Sequence, residues 1–165
     1  MVSLDPWTQR PTEEANLFNP PFLCSLTYEF LKAHGNGAPI TLAVIALTTS
    51  LHRLSRERLP YSTVSSLYEW LQGNEDLLIG FAIRCRGIAP YVKEAILFGM
   101  SLEALAPGEA HDLQMGTKKA LFPKTFLDAT TPETKDIIDR TKFMGRWLAK
   151  SGSEVSIAAA WGVKP

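Results

Sequence analysis

Residues 90–116 read PYVKEAILFGMSLEALAPGEAHDLQMG, and the change of period inside that stretch decides the fold. Pro90 starts a helix that runs through Phe98, with Tyr91, Ala95 and Phe98 on one side. From Ser101 the pattern alternates through Leu102, Glu103, Ala104 and Leu105, reaches Pro107-Gly108, and resumes over His111-Asp112-Leu113-Gln114-Met115. Two short segments around a Pro-Gly turn predict a small β-hairpin, closed by Gly116-Thr117-Lys118-Lys119.

Working upstream, Asn74 with Glu75 and Asp76 behind it caps a helix whose stripe is Leu78, Phe81, Ala82 and Cys85, and Gly87 stops it. Before that, Ser62 caps a helix through Leu71, with Val64, Leu67, Tyr68 and Leu71 on one face and Gly73 at its end. Helix, turn, helix, turn, helix, hairpin is the order of a winged helix-turn-helix, here over roughly residues 62–116. The expected fold is mainly α with a small β-hairpin: a winged helix-turn-helix core with flanking helices.

The flanks read as helices too. Asn19-Pro20-Pro21 is an N-cap followed by prolines whose missing N–H matters least there, and Phe22, Leu26 and Phe30 form a stripe ending at the Gly35-Asn36-Gly37 turn. A long helix from about Pro39 to Arg58 is apolar nearly all round in its first ten residues, which predicts a central position, and basic in its second half. Residues 120–131 read as loop. Thr131-Pro132-Glu133 opens a helix to about Lys150 with Ile137, Ile138, Thr141, Met144, Trp147 and Leu148 inward, and a short helix spans Glu154 to Trp161. Residues 1–18 read as a loose arm pinned by Trp7, and residues 19–165 as a single winged-helix-like domain.

Composition limits function. The 165 residues carry 17 Lys+Arg against 17 Asp+Glu, and 45% are hydrophobic. Zero net charge argues against a domain that binds nucleic acid on its own, since phosphate contacts usually bring a basic excess. Residues 1–38 hold Arg10 and Lys32 against Asp5, Glu13, Glu14 and Glu29, so the remainder has a small basic surplus. The N-terminus lacks the pattern of a secretory signal, Cys24 and Cys85 stand apart, and the longest apolar stretch, residues 38–47, is half of the roughly 20 residues a membrane helix needs. These features lead us to expect a soluble cytoplasmic chain with no membrane contact.

Catalytic signatures are missing. His34, His52, His111, Cys24 and Cys85 include no pair at metal-ligand spacing, and neither phosphate-binding glycine motif nor G-x-S-x-G occurs. Arg84-Cys85-Arg86 would be an electropositive setting for a thiolate, but Cys85 continues the Leu78/Ala82 stripe and reads as buried. The expectation is no catalytic residue, no metal and no cofactor. Basic residues that would touch DNA phosphates, if the fold gathers them, are Arg53, Arg56, Arg84, Arg86, Lys118 and Lys119; Arg58 is a further one. Their other reading is a solvated face with local carboxylate partners. Tyr61, Tyr68, Trp70, Tyr91, Phe122, Phe126, Trp147 and Trp161 are either core or anchors for a partner.

Four segments together resemble a known family: Asn19-Pro20-Pro21-Phe22; Leu51-His52-Arg53 with Arg58-Leu59-Pro60; Ala89-Pro90-Tyr91-Val92-Lys93-Glu94-Ala95-Ile96-Leu97-Phe98-Gly99; and Lys142 to Ala149 followed by Trp161-Gly162-Val163-Lys164-Pro165. From residue 19 onward the chain resembles the middle component of bacterial three-component ABC-ATPase systems, including the small subunit of Lamassu-like anti-phage defence. Leu148 departs from the aromatic residue common at that place in the family. The resemblance implies a non-catalytic adaptor that binds an SMC- or RecN-like ABC ATPase and an effector, such as a nuclease, with DNA met indirectly. It also implies Tyr91, Lys93, Leu97, Arg146 and Trp147 as partner-contact or scaffold residues. Gly145 would then allow a close backbone approach, and Arg146 would hold the C-terminal region or a partner carboxylate. The alternative reading is a winged-helix DNA-binding subunit or regulator.

Overall fold

Asn19 starts the ordered chain as its sequence predicts: its side-chain oxygen accepts from the Phe22 N–H at 2.8 Å, ahead of helix α1 (Pro20–His34). The computed structural model describes residues 4, 6, 10 and 17–164; Trp7 and most of the expected arm lie outside the described residues. Gly35, at φ +132°, ends α1, and its N–H donates to the Leu31 carbonyl. Strand β1 (Gly37–Pro39) follows, then α2 (Ile40–Leu51), α3 (Arg53–Arg58), α4 (Leu67–Gly73) and a 3-10 turn (Glu75–Leu78). The chain continues through α5 (Phe81–Ser101), β2 (Leu105–Pro107), β3 (Asp112–Met115), α6 (Lys124–Ala129), α7 (Pro132–Ala149) and α8 (Glu154–Ala160).

The protein is mainly helical with a small antiparallel sheet in the order β1-β3-β2, in which Ala38 faces Leu113 and Leu105 faces Met115. The hairpin stands where the Pro-Gly turn put it. Its third strand was unforeseen, because Gly35-Asn36-Gly37 ahead of β1 reads as a turn. At the centre lie α1 and α2. Leu23, Leu26, Phe30, Leu31, Ile45 and Leu47 are all fully buried, and α1 packs on both α7 and α5. Gly145 permits the α1–α7 contact, since a Cβ there would sit 2.7 Å from the Phe30 carbonyl oxygen and 2.7 Å from the Ala33 Cβ. An aromatic group of Trp70, Phe81, Trp147 and Trp161 closes the other end, with the Phe81 and Trp161 rings stacked at 4.7 Å.

Four sequence expectations need correction. The helix read from Pro39 to Arg58 breaks at His52, whose extended backbone (φ −84°, ψ 111°) and Nδ1 cap α3 by accepting from the Ser55 N–H. The helix placed from Ser62 to Leu71 begins only after Ser66, whose hydroxyl caps α4. The helices read on either side of Gly87 and Pro90 are one 21-residue helix, α5. Burial of Ile88, Val92, Ala95 and Ile96 along its length outweighs the hydrogen bond that Pro90 cannot make. The three-helix unit read over residues 62–116 is therefore not the arrangement observed. Finally, α6 occupies part of the segment read as loop, and none of its residues is buried.

Candidate partner interface

The helix α5 carries most of the sequence-predicted contact residues, and its packing decides which of them reach solvent. Val92, Ala95, Ile96 and Gly99 point into the core. Ile83 and Leu97 point out, 68% and 58% exposed, and Ile79 just before the helix is 78% exposed. Fourteen residues at about 1.5 Å rise and 100° each leave Ile83 and Leu97 nearly in line, about 21 Å apart. Lys93 is exposed on the same helix. Tyr91 is half-buried, its ring 5.0 Å from that of Phe18. Beside it, Arg10 clasps Glu94 through two bonds, Nη1 to Oε1 at 2.9 Å and Nη2 to Oε2 at 2.7 Å, and the Arg10 side chain is only 5% exposed. Arg10 and Phe18 thus both pack against α5, a role the sequence did not announce.

On α7, Arg146 is exposed, whereas Trp147 is buried and donates from Nε1 to the Ser65 carbonyl at 2.7 Å. Trp147 is a core residue that holds the loop before α4, because its ring meets Trp70 and Phe143. Of the other aromatics, Trp161 is buried and Tyr61 is fully out in solvent next to the Arg140 guanidinium.

The residues read as phosphate contacts are not gathered. Arg56 is buried and satisfied internally, donating to the Ser50 carbonyl at 2.9 Å, Asp136 at 2.9 Å and Glu133 at 3.0 Å. It caps the C-terminus of α2 and joins it to the acidic first turns of α7. Arg84 donates to the Leu77 carbonyl at 2.9 Å and the Ile79 carbonyl at 3.3 Å, fixing the turn into α5. Arg53 pairs with Glu57 and Lys118 with Glu103. Arg86 and Lys119 are exposed and have no ion-pair partner among the described residues, but they line different cavities.

Titratable groups follow their surroundings. Burial pushes the Cys24 thiol up to about 11, and burial also raises Cys85, which keeps both thiols protonated and poorly nucleophilic. Burial, then the Arg84 and Arg56 guanidinium groups, holds the His52 imidazole below its ordinary 6.5. Among the described residues no three His, Cys, Asp or Glu side chains come together as a metal site, and no helix is long and apolar enough to cross a membrane.

The family model for the ABC-three component (ABC-3C) system Middle Component 3 matches residues 7–165, nearly the whole chain. The chain belongs to that family. No curated protein and no solved structure was found to match it. A middle component is one part of a multi-component ABC system, so this chain works beside partner subunits. The Lamassu-like likeness drawn from its motifs is finer than the family assignment.

Proposed function

We propose that this middle component is a non-catalytic adaptor that joins the ABC ATPase of its system to an effector. The observation that carries the reading is that Ile79, just before α5, and Ile83 and Leu97 on it are large apolar side chains left in solvent, in a family whose members act in multi-component assemblies. Exposed aliphatic side chains on one helix favour a protein partner over a phosphate backbone. In the finer version of the proposal the ATPase is SMC- or RecN-like, the effector is a nuclease, the site of action is the cytoplasm, and the complex is a Lamassu-like anti-phage device.

The test is co-expression with the ABC ATPase and effector encoded beside this gene, followed by size-exclusion chromatography. Co-elution of the wild type is expected, with loss for Ile83→Asp/Leu97→Asp at unchanged thermal stability. Separate elution of the wild-type chain from both partners at micromolar concentration would overturn the reading.

A second reading, a winged-helix DNA-binding subunit, is supported by the element order. α1, β1, α2, α5 and the β2–β3 hairpin, with α3, α4 and the 3-10 turn inserted, run helix-strand-helix-helix-hairpin over residues 20–115. It predicts salt-dependent retardation of a duplex by the isolated chain. The internal use of Arg56 and Arg84 and the pairing of Arg53 and Lys118 leave little basic surface for it.

A further inference from the structure

A groove of about 470 Å³ runs between the start of α2, the first half of α5 and residues 162–164. Its floor is apolar: Ile40 and Val44 from α2, Ala82 and Ala89 from α5. Its rim is cationic: Arg86 and Lys164 both line it, both are exposed, and neither has an ion-pair partner among the described residues. No Asp or Glu lies among the described lining residues. The walls supply none either. α2, ITLAVIALTTSL, has no charged residue, and the one carboxylate of α5, Glu94, is held by Arg10. The first turn of α2, its positive end, also borders the groove with no acidic side chain to offset it.

A cleft with an apolar floor and two cations unmatched among the described residues suits an occupant that brings apolar side chains and carboxylates together. We propose that the groove docks an acidic, apolar peptide segment of a partner subunit, an apolar side chain seated against Val44 and Ala89 and a carboxylate bridging Arg86 and Lys164. The assignment rests on the adaptor reading and names the chemistry by which it operates. A DNA strand fits less well, because apart from the Thr41 hydroxyl and the first turn of α2 the lining side chains Ile40, Val44, Ala82 and Ala89 offer phosphates and sugars nothing to bond. Charge complementarity of this kind sets the partner and speeds its encounter.

The experiment takes the full chain and whichever co-expressed subunit, ATPase or effector, co-elutes with it, and measures Kd by biolayer interferometry at 50 and 300 mM salt. Arg86→Glu/Lys164→Glu is expected to weaken binding at least tenfold and to abolish its salt dependence. Ala89→Trp, which fills the groove without a charge change, is expected to weaken it comparably. The charge-matched control Lys124→Glu/Lys135→Glu is expected to bind as the wild type. Thermal melts check that each variant folds. Wild-type affinity in both groove variants would overturn the inference while leaving the adaptor reading intact. So would binding of a fluorescein-labelled 20-base-pair duplex by the wild type that the Arg86/Lys164 variant loses. A wild-type chain that binds neither subunit overturns the adaptor reading and takes this inference with it.

Discussion

At the residue scale, the polar side chains that matter most are ones whose sequence surroundings disguised them. Arg56 sits in a basic run and reads as surface, yet three acceptors draw its guanidinium inside. Two of them, Glu133 and Asp136, are 77 and 80 residues away, beyond any local pattern. Gly145 was legible as a place of close approach, although the approaching backbone is that of α1 and not a partner's. His52 shows the same limit. It looks like one more residue of a long helix, but its ring caps the next one. Because its imidazole is held below 6.5 in the folded chain, the unfolded chain binds the proton more readily. His52 therefore contributes stability above its unfolded value, and that contribution is lost as pH falls through the lowered folded value. The non-titrating cap His52→Asn should lose less stability than the wild type between about pH 7 and pH 5 in urea titrations. Parallel losses would show that the ring's charge state is not coupled to folding.

At the scale of elements, apolar stripes and some caps were readable, and interruptions were not. Asn19 and Thr131 cap the helices they were read to start, because capping is a local hydrogen bond, whereas Asn74, read as a cap, makes no side-chain cap bond and precedes only a 3-10 turn. Gly87 and Pro90 carry a local signal too, and here long-range packing overrides it. α5 buries Phe81, Cys85, Ile88 and Val92 on either side of both residues, so breaking the helix would expose more apolar surface than the proline saves. The consequence is a strained position. Pro90 leaves the Arg86 carbonyl without its helical donor and crowds it, which costs about 3 kcal/mol in a helix interior. Proline also restrains the unfolded chain, an offset of about 0.4–1 kcal/mol. Pro90→Ala is thus expected to raise the unfolding free energy by about 2–2.6 kcal/mol by urea denaturation. A loss of stability instead would mean that contacts of the half-buried proline ring outweigh the missing bond.

At the scale of the whole molecule, zero net charge conceals a division of labour. Several cations are used to close the fold on itself: Arg10 on α5, Arg56 on α7, and Arg58 on Asp76. Composition sees the sum and not the pairing, so the sequence could argue against an autonomous DNA binder but could not say which cations stay available. The same holds for the aromatics. Trp147 and Trp161 complete the core, and the large apolar side chains α5 leaves exposed, Ile83 and Leu97, are aliphatic. Among these closures the Arg10–Glu94 clasp has the widest reach, joining residues 84 apart and setting Arg10 against the helix that presents Leu97. Its two parallel bonds and the burial of the Arg10 side chain set it apart from surface pairs, which contribute about 0–1 kcal/mol. Glu94 remains 28% exposed, so water screens part of the attraction and the full buried-pair figure does not apply. A double-mutant cycle of Arg10→Ala and Glu94→Ala should give a coupling of about 1–2 kcal/mol by urea denaturation. It should also fall as salt rises, since one end of the pair is open to ions. A coupling near zero at low salt would mean that Arg10 is not held on α5 in solution, and that Glu94 belongs to the surface α5 offers a partner.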